Sequence, residues 1–392
     1  MKSLFIKTEE QRKWLEKLKS VEEEFKGNAQ QIDEQSIFPY AHIQKLRDLG
    51  YTKITLPKEL GGDGFNVYDA ILMQETLASF DGSTALSIGW TVLTVGELFE
   101  NKYWEPAKLA TFAKEVVNGA IINRAVSEVA TGSPIRGGRP GTSAKRNGDK
   151  WIINGRKSYT TGSPELDYFL TSAWIEEEGK IGFFLIHKDT PGLAIEETWD
   201  VIAMRGTGSH DLVLNEVKLD ESDLVEIPDY AAGSKLNGWQ LIIPATYLGI
   251  AQAAQDYAVQ FANNHSPNSI EGTIASLPNV QALLGEIELA LTQARFALYG
   301  AAQCYVELKN SGDPLSEEEG MLIVNAVNVA KHTVTNAAIT VVDKAMRVVG
   351  AKSLQRSNPL QRYYRDVRAG LHNPPMDDLT IKKLAEVVLK QK

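Results

Sequence analysis

NGDKWIINGRKSYTTG, residues 147–162, is the stretch on which the fold turns. The NGD turn signal at 147–149 stands directly before the apolar run WII (151–153). Asn-Gly beside a β-branched run marks a hairpin. Downstream, YFLTSAWI (168–175) and IGFFLI (181–186) flank EEEGK (176–180), a second turn between two runs of strand composition. Short strands punctuated about every ten residues predict a β-barrel or sandwich over residues 121–225. Within it SYTTGS (158–163), read as strand, puts Tyr159 and Thr161 on one face by period two. An aromatic plane beside a hydroxyl suits a flat heterocycle.

On either side the spacing becomes helical. Before residue 120, Trp14, Leu18, Val21 and Phe25 recur every three or four residues, as do Ile43, Leu46 and Leu49. LPKELGGDGFN (56–66) interrupts them as an ordered loop, and the helical pattern resumes at Ile71. After residue 226, Leu284, Ile287, Leu291, Ala294, Leu298, Ala301 and Tyr305 form one helix stripe, and Val327, Ala330, Val334, Ala337 and Val341 another. With helices at 239–264 and after 378, four are available, and a bundle packs them economically. The expected architecture is α+β and multidomain. An N-terminal helical domain (1–120) and a middle β domain (121–225) precede a C-terminal four-helix bundle (226–392).

Composition removes several function classes. The 41 Lys and Arg against 50 Asp and Glu leave a net charge of −9, with no basic run to draw nucleic acid. Cys304 is the one cysteine, so neither a disulfide framework nor a Cys-rich metal site is expected. LIIPATYLGIAQAA, from Leu241, contains Pro244 and is too short to span a bilayer. The first twenty residues are charged throughout, without a signal-peptide core. A soluble cytoplasmic protein, bound to neither membrane nor nucleic acid, is the expectation.

AVSEVATGSP (125–134) gathers Ser127, Glu128, Thr131 and Ser133 around a glycine, a chain able to hold phosphate or the polar edge of a planar cofactor. MRGTGSHDL (204–212) is a glycine-rich turn without the Walker ending. No metal-ligand spacing links the six histidines. His372, in LHNPPMDD near Asp377 and Asp378, sits in a proline-stiffened segment and is the one placed for acid–base work.

The order of zones and five motifs resemble the acyl-CoA dehydrogenase superfamily of flavoproteins over nearly the whole chain. LPKELGGDGFNVYDAILMQETLASFDGSTALSIG (56–89) is similar to the family's PEEYGG segment and following helix, and NGDKWIINGRKSYTTG to its NGxKxxITNG stretch. AVSEVATGSP stands in place of the TEPGAGSD loop. MRGTGSHDLVLNEVKL (204–219) resembles the end of the β domain, and RYYRDVR (362–368) the C-terminal RD motif. The resemblance implies FAD between the β domain and the bundle, usually in a homotetramer. It implies Val126 and Ser127 at the flavin's polar edge, Ser133 at phosphates, and Tyr159 and Thr161 at the ring. It also implies Arg347 where a glutamine commonly meets a neighbouring subunit's FAD.

In that family a carboxylate takes the α-proton of an acyl-CoA while the β-carbon gives a hydride to flavin N5. The usual glutamate position, eight residues after Asp366, holds Pro374, and the alternative position falls near Trp239. The arginine of the family's RxxFG segment is absent from NNHSPNSIEGT (263–273). The first reading is therefore an acyl-CoA dehydrogenase with His372, or Asp377 or Asp378, as base. The second is a reduced-flavin monooxygenase of the same fold, served by a flavin reductase, which RGTGS (205–209) and the C-terminal histidine resemble. The third is a non-catalytic flavin- or CoA-binding paralogue.

Overall fold

A computed structural model describes residues 1–131, 139–228, 237–311 and 316–390. Five helices come first: α1 (Glu9–Gln35), α2 (Tyr40–Leu49), α3 (Val67–Ala78), α4 (Gly82–Asn101) and α5 (Pro106–Val117). Side-chain caps start three of them. Thr8 and Gln11 cap α1 reciprocally, Asn66 and Asp69 cap α3, and Asp81 accepts from Thr84 N at the start of α4. Helix α3 is buried on every side apart from Asp69, as a helix enclosed by other layers must be.

The β domain is one twisted sheet. Its strands are β1 (Ile122–Ala125), β2 (Ser143–Asn147), β3 (Lys150–Lys157), β4 (Tyr168–Ile175), β5 (Lys180–His187), β6 (Leu193–Glu196), β7 (Asp211–Asp220) and β8 (Leu224–Glu226). They run in the order β6-β7-β3-β2-β4-β5-β8, with β1 parallel to β4. Both expected hairpins form. Asn147 pairs with Lys150 across a two-residue turn, and Ile175 pairs with Lys180. SYTTGS is not strand. β3 stops at Lys157, and Tyr159 takes a left-handed φ of +58°. The period-two face is thereby lost: Tyr159 is 65% exposed while Thr161 is buried.

Long helices α6 (Ile242–Asn264), α7 (Pro278–Asn310) and α8 (Glu317–Val349) make the bundle, with α9 (Pro359–Ala369) and α10 (Asp377–Lys390) packed on it. The α7 and α8 stripes face inward, as expected from spacing. Helix α3 is tied to the bundle by a fully buried charge pair. Arg295 Nε donates to Glu75 Oε1 at 2.9 Å, and Tyr299 OH donates to Glu75 Oε2 at 2.6 Å.

All three domains meet at α9. Asp366 Oδ1 accepts from Met204 N at 2.6 Å, and Arg365 grips both the Asp33 carboxylate of α1 and the Ile202 carbonyl. Burial pushes the Asp366 carboxyl from 3.8 up to about 7, against the Met204 amide and the charges of Arg362 and Arg365. Between those two values the folded chain holds a proton that the unfolded chain has released. The group thus favours folding most below pH 3.8, and that contribution is lost as pH rises through about 7. Asp366→Asn keeps an acceptor for Met204 N and removes the loss. Its stability advantage over the wild type should grow from pH 4 to 7 and then level off at ~4 kcal/mol, since each tenfold change in proton affinity is worth ~1.4 kcal/mol. Urea unfolding at several pH values measures this; a difference constant with pH would contradict it.

Candidate functional site

Three loops at one end of the sheet converge. Ser158 N donates to Ser127 O at 2.8 Å, joining the chain after β3 to the chain after β1. Thr160 N donates to His210 O at 3.2 Å and Gly162 N to Thr207 O at 2.9 Å, which brings in the segment before β7. Side chains finish the weave. Thr161 Oγ1 meets Ser209 Oγ at 2.9 Å, Thr207 Oγ1 meets Ser209 Oγ at 2.8 Å, and Asn123 Nδ2 donates to Thr161 O at 2.9 Å. Ser127, Tyr159 and Thr161, far apart in the chain, are therefore brought to one cradle, while the Val126 side chain, half-buried, packs on the apolar cluster of Val95, Ile122 and Phe183. Ser133 lies outside the described residues.

Glu128 and Lys157 are the cradle's foundation. Lys157 occupies the inward phase of β3, in register with Trp151 and Ile153, and has no exposed side-chain surface. Its ammonium reaches Glu128 Oε1 at 2.6 Å and Ser172 Oγ at 3.1 Å. The same carboxylate accepts from Gly141 N at 2.6 Å and from Thr142 N and Oγ1 at 3.1 and 2.8 Å. Burial alone would raise the Glu128 carboxyl, but the Lys157 bond and charge and the Thr142 and Gly141 donors hold it down to about 2. Burial brings the Lys157 ammonium down to about 8, with Glu128 opposing. Of this pair the sequence motifs single out Glu128, in AVSEVATGSP, but not Lys157, whose one signal is a lysine in the inward phase of a strand.

On the rim, Tyr159 meets Trp199 edge-on, with ring centroids 6.0 Å apart. A non-glycine residue at positive φ costs on the order of 1–3 kcal/mol and tends to persist where function demands it. Here that conformation presents an aromatic ring to solvent beside a loop of hydroxyls. Thr160 Oγ1, buried behind it, has no hydrogen-bond partner among the described residues. An exposed ring and an unsatisfied buried hydroxyl fit a flat, polar-edged heterocycle such as a flavin.

The candidate bases sit elsewhere. His372 is exposed, in the turn after α9. Asp377 does not pair with it, despite their proximity in sequence. Its partners are on α8: His332 Nδ1 at 3.1 Å, Asn336 Nδ2 at 2.9 Å and Lys331 Nζ at 3.5 Å. Asp378 is exposed in the first turn of α10. Pro374 lies in the same turn as His372. Trp239 packs flat on Gly96, where an added Cβ would fall 2.5 Å from its ring, and its indole N–H donates to Glu100 Oε2 at 3.1 Å. Glu100, which also accepts from Tyr305 OH, lines an open cavity of about 390 Å³ with Trp239, Phe65 and Phe99. Arg347 lies exposed on the last turn of α8 and pairs with Asp343 at 2.9 Å, so one chain alone does not bring it to the cradle.

Family models for the N-terminal, middle and C-terminal domains of acyl-CoA dehydrogenases match residues 8–101, 123–217 and 241–373. The chain belongs to the acyl-CoA dehydrogenase family. This family member is 58% identical to YdbM of Bacillus subtilis (strain 168), a protein provisionally named an acyl-CoA dehydrogenase, over 98% of each chain. It is 29% identical to the L-evernosamine nitrososynthase of Micromonospora sp. (strain ATCC 39149 / NRRL 15099 / SCC 1413), covering 86% of this chain and 80% of that one. FMN-bound TdsC from Paenibacillus sp. A11-2 shares the family fold, with a TM-score of 0.88 at 23% identity over 97% of this chain and 98% of that chain. Among the described residues, no cluster of three or more His, Cys, Asp or Glu could hold a metal ion, and no helix is long and apolar enough to cross a membrane.

Proposed function

We propose that this acyl-CoA dehydrogenase family member is an FAD-dependent oxidoreductase working as a monooxygenase on a small organic substrate, with reduced flavin supplied by a reductase. One observation carries this reading. The two positions where the resemblance calls for a proton-abstracting carboxylate hold Pro374 and Trp239, and Trp239 is committed to packing on Gly96 and bonding to Glu100. Dehydrogenation of an acyl-CoA needs a base on the substrate face opposite the flavin. Oxygenation by reduced flavin needs none there.

When bound, reduced flavin would supply two electrons to dioxygen. Val126 and Ser127 would hold the ring's polar edge, Tyr159 would cover the ring, and the Thr161–Ser209–Thr207 hydroxyl chain would give and accept hydrogen bonds beside it. The Glu128–Lys157 pair would fix the loop that carries Ser127 without touching the ligand. A homotetramer, with Arg347 meeting a neighbour's cofactor, is part of the same proposal.

Acyl-CoA dehydrogenation, the first reading of the sequence, here stands second, favoured by the name given to YdbM. It would require exposed His372 or Asp378, or Asp377 of the α8 contact, to reach the substrate. The two readings part on the source of electrons. Under anaerobic conditions the flavin-loaded protein should keep its oxidised absorption band when acyl-CoA esters are added, and ester-driven bleaching would restore the dehydrogenase.

A further inference from the structure

His210 immediately precedes β7 and joins the two rings on the rim of the cradle. Its Nδ1 stands 3.1 Å from Thr198 N and 3.1 Å from Trp199 N. Backbone amides can only donate, so Nδ1 must be an acceptor. The ring is therefore neutral, with its proton on Nε2. The His210 carbonyl meanwhile accepts from Thr160 N, the residue after Tyr159. Trp199 is pinned a second time, through its indole N–H to Met204 O at 3.2 Å. One residue thus fixes the Trp199 backbone by its side chain and the Tyr159 turn by its main chain.

Resting on the flavin reading above, we propose that neutral His210 is a positioning residue that sets the Tyr159–Trp199 pair for the ring of the cofactor, and that its protonation weakens flavin binding. Protonation would place a hydrogen on Nδ1, pointed at two amide hydrogens. Both amides would lose their acceptor, the Trp199 segment would relax, and the edge-on support for Tyr159 would go with it. The charged groups around His210 are Glu197 on its own loop, Asp211 at the start of β7, and Arg156 on β3, which pairs with Asp211 and with Glu196 of β6. Burial lowers the imidazole from 6.5, while Glu197 and Asp211 oppose it, so the transition falls on the acid side of the usual histidine range.

The test is flavin affinity, by quenching of FAD fluorescence, at several pH values between 7.5 and 5, with circular dichroism confirming the fold at each. Wild-type affinity should fall by about tenfold on acidification, the effect of losing roughly two hydrogen bonds of the kind broken here. His210→Asn offers an uncharged acceptor in place of Nδ1 and should bind as tightly as wild type at pH 7.5, with little change on acidification. His210→Leu offers none and should bind weakly at every pH. A wild-type affinity independent of pH, or an equal pH dependence in His210→Asn, would overturn the role of His210. If the wild type binds no flavin at any pH, the flavin reading itself fails. Tryptophan emission then decides His210 alone: an acid transition present in wild type and absent from His210→Asn supports the neutral-acceptor role, and identical curves refute it.

Discussion

Lys157→Met should cost about 3–5 kcal/mol of stability and abolish tight flavin binding, because it strands a carboxylate in the interior. Glu128 has 6% of its side chain exposed and, among the described residues, would keep Gly141, Thr142 and Thr131 as donors and no ion-pair partner. A buried carboxylate without a counter-charge takes up a proton or draws in water, and either response shifts the loop that carries Ser127. The double variant Glu128→Gln/Lys157→Met removes both charges and should recover most of the lost stability, since the penalty belongs to the orphaned charge. Urea unfolding of the three proteins, with flavin titrations beside it, measures both effects. A single variant within ~0.5 kcal/mol of wild type, the usual range for inconsequential substitutions, would remove the pair from its structural role.

The second large effect lies at the contact of α3 with the bundle. Arg295→Met should destabilise by about 3–5 kcal/mol, as removal of one member of a buried pair generally does. Glu75 and Arg295 have no exposed side-chain surface, and without Arg295 the carboxylate keeps only the Tyr299 hydroxyl bond and the charge of Lys2, whose ammonium bonds to Thr76 Oγ1 and not to Glu75, among the described residues. Glu75→Leu/Arg295→Met, apolar on both sides, should return close to wild type. Thermal or urea unfolding distinguishes these outcomes. If the double variant were as unstable as the single, the pair would be supplying specific structure beyond its charge balance.

The sequence discloses elements better than it discloses the site. Hairpin turns at Gly148 and Gly179 and the α7 stripe from Leu284 to Tyr305 are local patterns, written in a few consecutive residues, and the folded chain follows them. The cradle depends on contacts between residues more than thirty positions apart, such as Ser158 with Ser127 and Thr161 with Ser209, which no periodicity encodes. Tyr159 and Thr161 read as neighbours on a strand. They share the site instead through a turn, because the ladder ends at Lys157 and Tyr159 adopts a positive φ. His210 carries no sequence signal for a similar reason: its meaning lies in two amides eleven and twelve residues upstream. Proximity in sequence also misleads at Asp377, whose contacts belong to α8 across the bundle rather than to His372 five residues before it.

In the proposed reaction, electrons reach this site through reduced flavin and leave to dioxygen, with no proton-abstracting base for an acyl-CoA. The most direct measurement is an anaerobic spectral titration of the FAD-loaded protein with short, medium, long and branched acyl-CoA esters, followed by external reduction and admission of oxygen. The oxidised band should stay unchanged throughout the ester series, bleach only when reductase and a reduced nicotinamide cofactor are added, and return with oxygen. Bleaching by any ester in the absence of reductase would contradict the proposed reaction.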